Sequence, residues 1–380
     1  MRSFSWDEVR SRRLARHYLI KPAPDTSVAD VVSAVCGIQA QVMSAAELAI
    51  GARVAGVTQQ SVREELWERR RLVKTWSLRG TLHLHPADEL PLWTAARHAC
   101  PDWREGRWHE AYSLEVVQAK AVLKAIGDAL DGRCLTRDEL ADEVARHVGS
   151  WARERLASTW ADLVGLGAEA GILCFGPSRG SKVTFVRADQ WIGGWKEYEP
   201  ENALAAIFRR YLTVYGPATH RDFAQWFGGS HLKADEIHRL VEVLAAELEE
   251  VIVEGKRAWL LAADASWEPP RESLRLLPQY DCYVIGSRFG REHIVPEAAR
   301  ARVFAYKNGR FEGATGLPLL LVDGRVAGMW ERHKRGRRAE IRVEPFIPLT
   351  APQQRQLEAE AVRIGDFLGM EAELALDVLA

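Results

Sequence analysis

The chain has 380 residues, of which 47% are hydrophobic and 27% charged, with a formal net charge of −1. This is ordinary globular composition, which excludes a disordered chain, and the length fits about two to four compact units. A near-neutral total excludes a global cationic field but leaves room for a local basic face.

Residues 6–20 are predicted to be helical, with Val9, Leu14, Tyr18 and Leu19 as the apolar stripe and the arginines and histidine between them facing outward. Residues 21–27 form a loop in which Asp25, Thr26 or Ser27 can cap a helix over Val28–Val35. Helices are expected over Ala45–Val54 and Thr58–Arg71. From Val73 to His85 the pattern alternates as two strands around a turn at Arg79–Gly80. Helices followed by a short hairpin is the order of a winged helix.

The order recurs. Thr136 caps a helix, with Glu139 at the capping-box position, and a second helix is expected over Ala152–Ala170. Residues 171–186 then read as two strands joined by a Gly/Pro/Ser turn carrying Arg179 and Lys182, a wing. A third copy opens at Tyr211, caps at Thr219 with Asp222 three residues on, and stops at Gly228–Gly229. It resumes as a helix over Ala234–Glu249 and closes in a hairpin around Glu254–Gly255. The spacing varies, so architecture repeats rather than sequence.

Beyond Leu274 the chain becomes strand-like over Leu276–Arg288, Arg302–Tyr306, Leu317–Trp330 and Ala339–Pro345, split by turns at Asn308–Gly309, Asp323–Gly324 and Gly336. Residues 317–343 suggest a small antiparallel sheet or partial barrel, and Pro352–Leu368 a closing helix. The expected fold is α+β and mainly helical: tandem winged-helix (helix-turn-helix) domains with a small C-terminal antiparallel β-sheet or barrel. Units are placed at 1–125, with a Gln-x-Gln motif, at 126–200 and 201–270, and at 271–380, with a basic hairpin and the closing helix.

Five separated cysteines, without a CxxC pair, argue for reduced, mostly buried thiols rather than a disulfide framework or structural zinc. The amino end has no apolar signal core, and no apolar run approaches the ~20 residues of a membrane span. A soluble cytoplasmic protein is expected, with the tryptophans as core anchors.

Helix-turn-helix units with wings make nucleic acid the first partner to consider. Arg332, Lys334, Arg335, Arg337 and Arg338 crowd a predicted hairpin tip after the strand ending at Trp330. Raised together, they would release counterions on meeting a duplex. Gln39-Ala40-Gln41 follows an apolar segment and Gly37. In extended backbone, side chains two apart project the same way, and two primary amides can hold a water by its proton and its lone pairs. Taken alone, such glutamines are ordinary surface residues. Arg79 reads equally as a phosphate contact or a structural turn arginine. His83 and His85 share a strand face and are better read as satisfied partners of backbone than as catalysts. Asp281, within an apolar stretch, reads as a buried hydrogen-bonded carboxylate. No lysine stands out as a Schiff-base nucleophile, and no metal-ligand spacing or cofactor motif is present.

Gly37-Ile-Gln-Ala-Gln, Thr75-Trp-Ser-Leu-Arg-Gly-Thr-Leu-His-Leu, Tyr215-Gly-Pro-Ala-Thr, Leu277-Pro-Gln-Tyr-Asp and Val322-Asp-Gly-Arg-Val-Ala-Gly-Met-Trp stand in one order across most of the chain. Together they resemble the winged-helix DNA glycosylases of the AlkZ/YcaQ type. The resemblance implies tandem winged-helix domains wrapped around double-stranded DNA and excision of N7-alkylated purines. In some members it implies unhooking of interstrand crosslinks. The family motif is Gln, an aliphatic residue, then Gln in the AlkZ branch or Asp in the YcaQ branch. Gln39, Ala40 and Gln41 match the AlkZ branch, which implies Gln39 and Gln41 as the catalytic pair. Many members of that branch accompany biosynthesis of DNA-alkylating natural products as self-resistance proteins.

The chemistry agrees. An N7-alkylpurine already carries positive charge, so its glycosidic bond is weakened in advance. What remains is to place a water behind C1′, which glutamine can do without acting as a base. A monofunctional hydrolase without metal or cofactor is expected. The alternative is a non-catalytic winged-helix regulator. A regulator usually needs a two-fold dimer to read spaced half-sites, whereas this chain shows no dimer seam and is expected to be a monomer. A protein-interaction scaffold would lack salt-dependent DNA affinity.

Overall fold

The computed structural model describes the chain except residues 25–26, 159–161, 229–231, 233, 265–266, 268–271, 308–309, 313–315 and 377–380. The expected caps Asp25 and Thr26, the helix stop at Gly229 and the turn at Asn308–Gly309 lie outside the described residues. The fold is mixed α+β, about half helical, with a curled C-terminal sheet. Its contacts divide into two compact units: Met1–Arg63 with Arg210–Phe223 and Val241–Ala380, and Glu64–Arg209 with Ala224–Leu240. Each is drawn from separated stretches, whereas the four expected units are successive segments.

In the first unit the helix Trp6–Arg16 starts with a reciprocal cap between Ser5 and Glu8. The expectation that its arginines and histidine face water holds for Arg16, which is exposed, and is overturned for Arg10, Arg12, Arg13 and the following His17, which are all buried. Their partners explain this: Arg12 Nη1 donates to the Gly216 carbonyl at 2.9 Å, and Arg13 donates to the carbonyls of Phe289 and Pro217, each at 2.9 Å. Helices Val28–Ala34 and Met43–Gly51 follow, and Ser27 stands before the first of them without a side-chain cap.

The sheet of this unit runs in the order Leu274–Leu277, Leu319–Val322, Arg325–Arg335, Arg338–Pro345, Glu371–Leu376. The first four strands pair antiparallel, and the last is parallel to its neighbour because the helix Ala351–Leu368 crosses over before it. The turn at Asp323–Gly324 has positive φ at both residues (48° and 75°), as a tight hairpin requires. Leu14, Leu277, Tyr283, Ile294, Leu319 and Val326 share the core beneath the sheet.

Two expected strands here are partly helical. The stretch after Leu277 meets Pro278, which lacks a ladder N–H, and Asp281 then caps a short helix, Cys282–Gly286. Residues Glu297–Val303 are helical, with Ala299 and Val303 buried on one face, before a short strand Ala305–Lys307. The strand expected to end at Trp330 continues to Arg335, so most of the basic run lies on a strand rather than at a tip. The helix begun at Ala234 ends at Val243, since Leu248–Glu250 are drawn into the hairpin with Trp259–Leu261.

The second unit holds the hairpin Leu72–Trp76/Leu82–Pro86 in the register Thr75↔His83. The helix Arg137–Val148 has the expected Thr136–Glu139 capping box. The expected single helix over 152–170 is two, Trp151–Ala157 and Asp162–Glu169. Arg137 donates to the carbonyls of Leu156 and Ser158 at 3.2 and 2.8 Å, which ends the first of them. The strands Leu173–Arg179 and Lys182–Arg187 form the expected hairpin. Val122, Ile126, Leu140, Leu163, Phe175 and Phe185 are among its core. The helices Leu90–His98, Val116–Ala129 and Pro200–Tyr215 were not foreseen. All five cysteines are free, and Cys134 alone of them is exposed. Among the described residues no helix is long and apolar enough to cross a membrane.

Candidate functional site

The Gln-Ala-Gln segment is shaped by what precedes it. The helix Val28–Ala34 ends with two residues of positive φ, Cys36 (63°) and Gly37 (92°). The Gly37 N–H turns back to the Val32 carbonyl at 2.9 Å, an ending that satisfies a terminal carbonyl and that glycine adopts without steric cost. The chain leaves extended through Ile38 and Gln39 and enters the next helix at Met43. Ala40 is wholly buried, Gln39 is 9% exposed, and Gln41 is exposed. The two amides therefore flank a buried methyl group, one sunk and one at the surface. An isolated surface pair would have left both in solvent.

Within the same unit lies a buried ionic network that sequence reasoning only half saw. Asp281 accepts two hydrogen bonds from Arg53, at 2.7 and 2.8 Å, with both side chains at most 1% exposed. Arg53 also donates to the Ala49 carbonyl at 2.9 Å, and Asp281 accepts from the Tyr283 N–H at 2.9 Å. Burial works against the Arg53 charge, but Asp281 outweighs it and raises the guanidinium pKa above its ordinary value. Asp281 is thus a buried, hydrogen-bonded carboxylate as expected, on a helix cap rather than in a strand. His17 packs edge-on against Tyr215 and Tyr283. Burial first, then the charges of Arg53 and Arg13, hold its pKa well below the usual imidazole value, so it is neutral.

In the second unit Arg79 occupies the turn between the two strands with φ of 57°, a left-handed conformation that costs a non-glycine residue on the order of 1 kcal/mol. It is half-buried, donates to the Trp226 carbonyl, and lines a pocket with Thr75, Trp76, Trp93, Arg97 and Phe227. His83 and His85 are buried. The His83 Nδ1 meets the Thr81 carbonyl at 3.0 Å and the His85 Nε2 meets the Ser77 Oγ at 3.1 Å. Burial, then the Arg79 charge, depresses the His83 pKa strongly.

The wing residues are already neutralised. Arg179 pairs with Glu139, and Lys182 with Asp138 at 3.2 Å, both acids in the first turn of the capped helix. Hydrogen bonding to the Thr136 backbone, then to Arg179, lowers the Glu139 pKa to about 2. On the C-terminal hairpin, Arg335 reaches Glu340 at 2.7 Å and Arg338 reaches Glu371 at 3.0 Å. Arg332, Lys334 and Arg337 are exposed and make no ion pair among the described residues. Gln39, Gln41 and this hairpin belong to the first unit, and Arg79, Arg179 and Lys182 to the second. Arg53 was missed because one arginine at a helix end gives no signal. Four arginines within Arg288–Arg302 were passed over although their density was visible. Among the described residues no group of three or more His, Cys, Asp or Glu is placed to hold a metal ion.

Comparison with known proteins bears on this geometry. The family model described as "DNA glycosylase AlkZ-like" matches residues 32–367. An "Interstrand DNA cross-link repair glycosylase" of Streptomyces sahachiroi is 33% identical over 374 residues, covering 96% of this chain and 97% of that protein. The solved structure of the Streptomyces sahachiroi DNA glycosylase AlkZ superposes with a TM-score of 0.84 at 30% identity, covering 99% of this chain and all of that one.

Proposed function

The chain belongs to the AlkZ-like family of DNA glycosylases, and from that membership we propose that it hydrolyses the N-glycosidic bond of cationic N7-alkylpurines in double-stranded DNA. The observation that carries the proposal is the arrangement of Gln39 and Gln41 about the buried Ala40. A sunken amide resists the rotation that an exposed one enjoys, so Gln39 keeps one orientation for the water and Gln41 meets the substrate side. The water oxygen attacks C1′ while the C1′–N9 bond breaks. The departing base leaves neutral, having carried its positive charge in from alkylation, and the water proton passes to solvent. Neither amide changes protonation state, and neither is asked to. Positioning and dipole stabilisation supply the acceleration.

The substrate class extends, in this reading, to crosslinks. The Streptomyces sahachiroi relative is named for interstrand crosslink repair, and an enzyme that needs only a cationic N7-alkylpurine and a placed water can release one arm of such a lesion. A role in base-excision repair or in self-resistance to an alkylating natural product follows from the same chemistry. We assign the helix and hairpin groups ending at Arg79–Gly80, Gly180 and Glu254–Gly255 to three winged-helix units on duplex DNA, within segments 1–125, 126–200 and 201–270. The remaining 271–380 segment adds the basic hairpin. The enzyme acts as a cytoplasmic monomer. Arg332, Lys334 and Arg337 are the strongest phosphate contacts, with Arg335 and Arg338 beside them. Arg179 and Lys182 must exchange Glu139 and Asp138 for phosphate, a modest cost for exposed pairs. Arg79 must likewise give up or share the Trp226 carbonyl.

The test is release of 7-methylguanine from an N7-methylated duplex by wild type, Gln39→Ala and Gln41→Ala. Release by wild type that is lost in either variant, with DNA affinity retained, is the expected result. Equal release by both variants refutes the assignment of the pair.

A further inference from the structure

The second unit holds a narrow cavity to which none of the roles above assigns an occupant. It lies at the turn of the hairpin Leu72–Trp76/Leu82–Pro86, and Thr75, Trp76, Leu78, Arg79, Trp93 and Phe227 are among its walls. Four contacts tie these walls together. The His85 Nε2 meets the Ser77 Oγ at 3.1 Å, and the His85 ring lies 4.3 Å from the Trp93 ring. The Trp93 ring lies 6.5 Å from that of Trp226, and the Trp226 carbonyl accepts from Arg79. Ser77 and Arg79 are two residues apart in the turn, so the backbone closes the circuit and holds Arg79 in its left-handed conformation (φ 57°).

Two of the wall residues carry buried polar atoms that meet nothing. Thr75 is 2% exposed and Trp93 4% exposed, yet the Thr75 Oγ1 and the Trp93 Nε1 have no hydrogen-bond partner among the described residues. A buried polar atom without a partner costs free energy, and folded proteins carry few of them. Two beside one cavity point to an occupant that meets them. The indole N–H can only donate, and the threonine hydroxyl can donate as well, so the occupant presents an acceptor oxygen. The Arg79 guanidinium among the walls favours an electron-rich group over a cation. Trp76, Leu78 and Phe227 supply apolar and aromatic faces, which suit a flat ring. The open volume is about 30 Å³, room for about two waters. A bulky, rounded ligand is thereby excluded, whereas a carbonyl and the ring atoms beside it can enter.

We propose that this cavity receives the keto edge of a guanine-type base, with Thr75 and Trp93 donating to its exocyclic oxygen. The proposal rests on the DNA glycosylase reading, in which an N7-alkylpurine is released, and deepens it by selecting guanine over adenine. An N7-alkyladenine places an amino group, itself a donor, where the cavity needs an acceptor, and the two buried donors stay unmet. Thr75 and Trp93 bind the base, and neither takes part in breaking the glycosidic bond.

The experiment titrates free 7-methylguanine and 7-methyladenine into wild type, Thr75→Val and Trp93→Phe by isothermal calorimetry, with a thermal midpoint for each protein. Wild type is expected to bind 7-methylguanine about tenfold more tightly than 7-methyladenine, and each variant to lose about tenfold of its 7-methylguanine affinity. Thr75→Val removes an unpartnered hydroxyl and keeps the shape, so its midpoint should equal or exceed that of wild type, the reverse of what a structural hydroxyl would show. If Trp93→Phe fails to fold, Thr75→Val alone decides. Absence of 7-methylguanine binding by wild type overturns the proposal, as does equal binding of the two bases. Unchanged affinity in Thr75→Val, or a midpoint well below wild type, assigns the cavity to ordered water only and also overturns it. Release of 7-methylguanine from a methylated duplex by wild type that does not bind the free base refutes the cavity assignment alone. No release from the duplex, with the free base bound as expected, instead refutes the underlying reading.

Discussion

Replacing Asp281 by alanine removes one half of a pair whose side chains are 0% and 1% exposed. Arg53 would keep only the Ala49 carbonyl, and its charge would lie uncompensated in the core. Breaking a buried pair in this way costs about 3–5 kcal/mol, and the lost cap on the Tyr283 N–H adds about 1 kcal/mol, not fully additively. A total of about 4 kcal/mol in a unit of roughly two hundred residues lowers its thermal midpoint by about 8–16 °C. Asp281→Asn keeps an acceptor for Tyr283 and should lose less. Arg53→Met with Asp281→Leu, which removes both charges, should recover much of the loss. Calorimetry or circular dichroism melting reads all three. An alanine variant within 2 °C of wild type, taken as roughly the shift for less than 1 kcal/mol, would refute the account of an isolated, strongly held pair. Base release by Asp281→Asn below its midpoint separates structure from chemistry: release is expected to persist, and its loss with DNA affinity intact would place Asp281 at the reacting centre.

Other outcomes follow from the same geometry. Gln41→Ala should lower base release about 100-fold or more with DNA affinity unchanged, read by single-turnover kinetics, since only transition-state positioning is removed. Alanine at Arg332, Lys334 and Arg337, which make no ion pair among the described residues, should flatten the salt dependence of DNA binding more than alanine at Arg335 and Arg338, which hold Glu340 and Glu371. His17 and His83 are buried with pKa values depressed below the unfolded value, so the unfolded chain binds more protons. Their contribution is intact above about pH 6.5 and is lost as pH falls below it, by up to about 1.4 kcal/mol per pH unit for each histidine. Urea unfolding between pH 7 and 5 measures this, and His17→Gln/His83→Gln should flatten the profile. Thr136→Ala removes the capping box of the helix Arg137–Val148 and should cost about 1 kcal/mol by the same method.

Local chemistry was legible wherever neighbours in sequence decide the outcome. The Thr136–Glu139 and Thr219–Asp222 caps need only residues three apart, and both form. The turns at Arg79–Gly80, Glu254–Gly255 and Asp323–Gly324 all contain positive φ, and glycine or a polar residue announces them. The closing helix was readable from its proline and its amphipathic pattern. The Gln39-Ala40-Gln41 motif was legible as a string within a resemblance, since nothing in its composition sets two glutamines apart from a surface pair.

What tertiary structure alone decided involves partners far away in the chain. Helical spacing assigned Arg12 and Arg13 to solvent, and they are buried because Gly216 and Pro217, 204 residues on, bring carbonyls to them. The stretch Asp281–Gly286 is too short and apolar for periodicity to separate strand from helix, and Arg53 fixes it from 228 residues away. Arg288 and Arg300 show the opposite case, half-buried charges whose side chains make no ion pair among the described residues. Sequence carries backbone preference and residue type because these act within a few residues. Whether a charge is buried, paired or left waiting depends on long-range packing, and only the folded chain sets it.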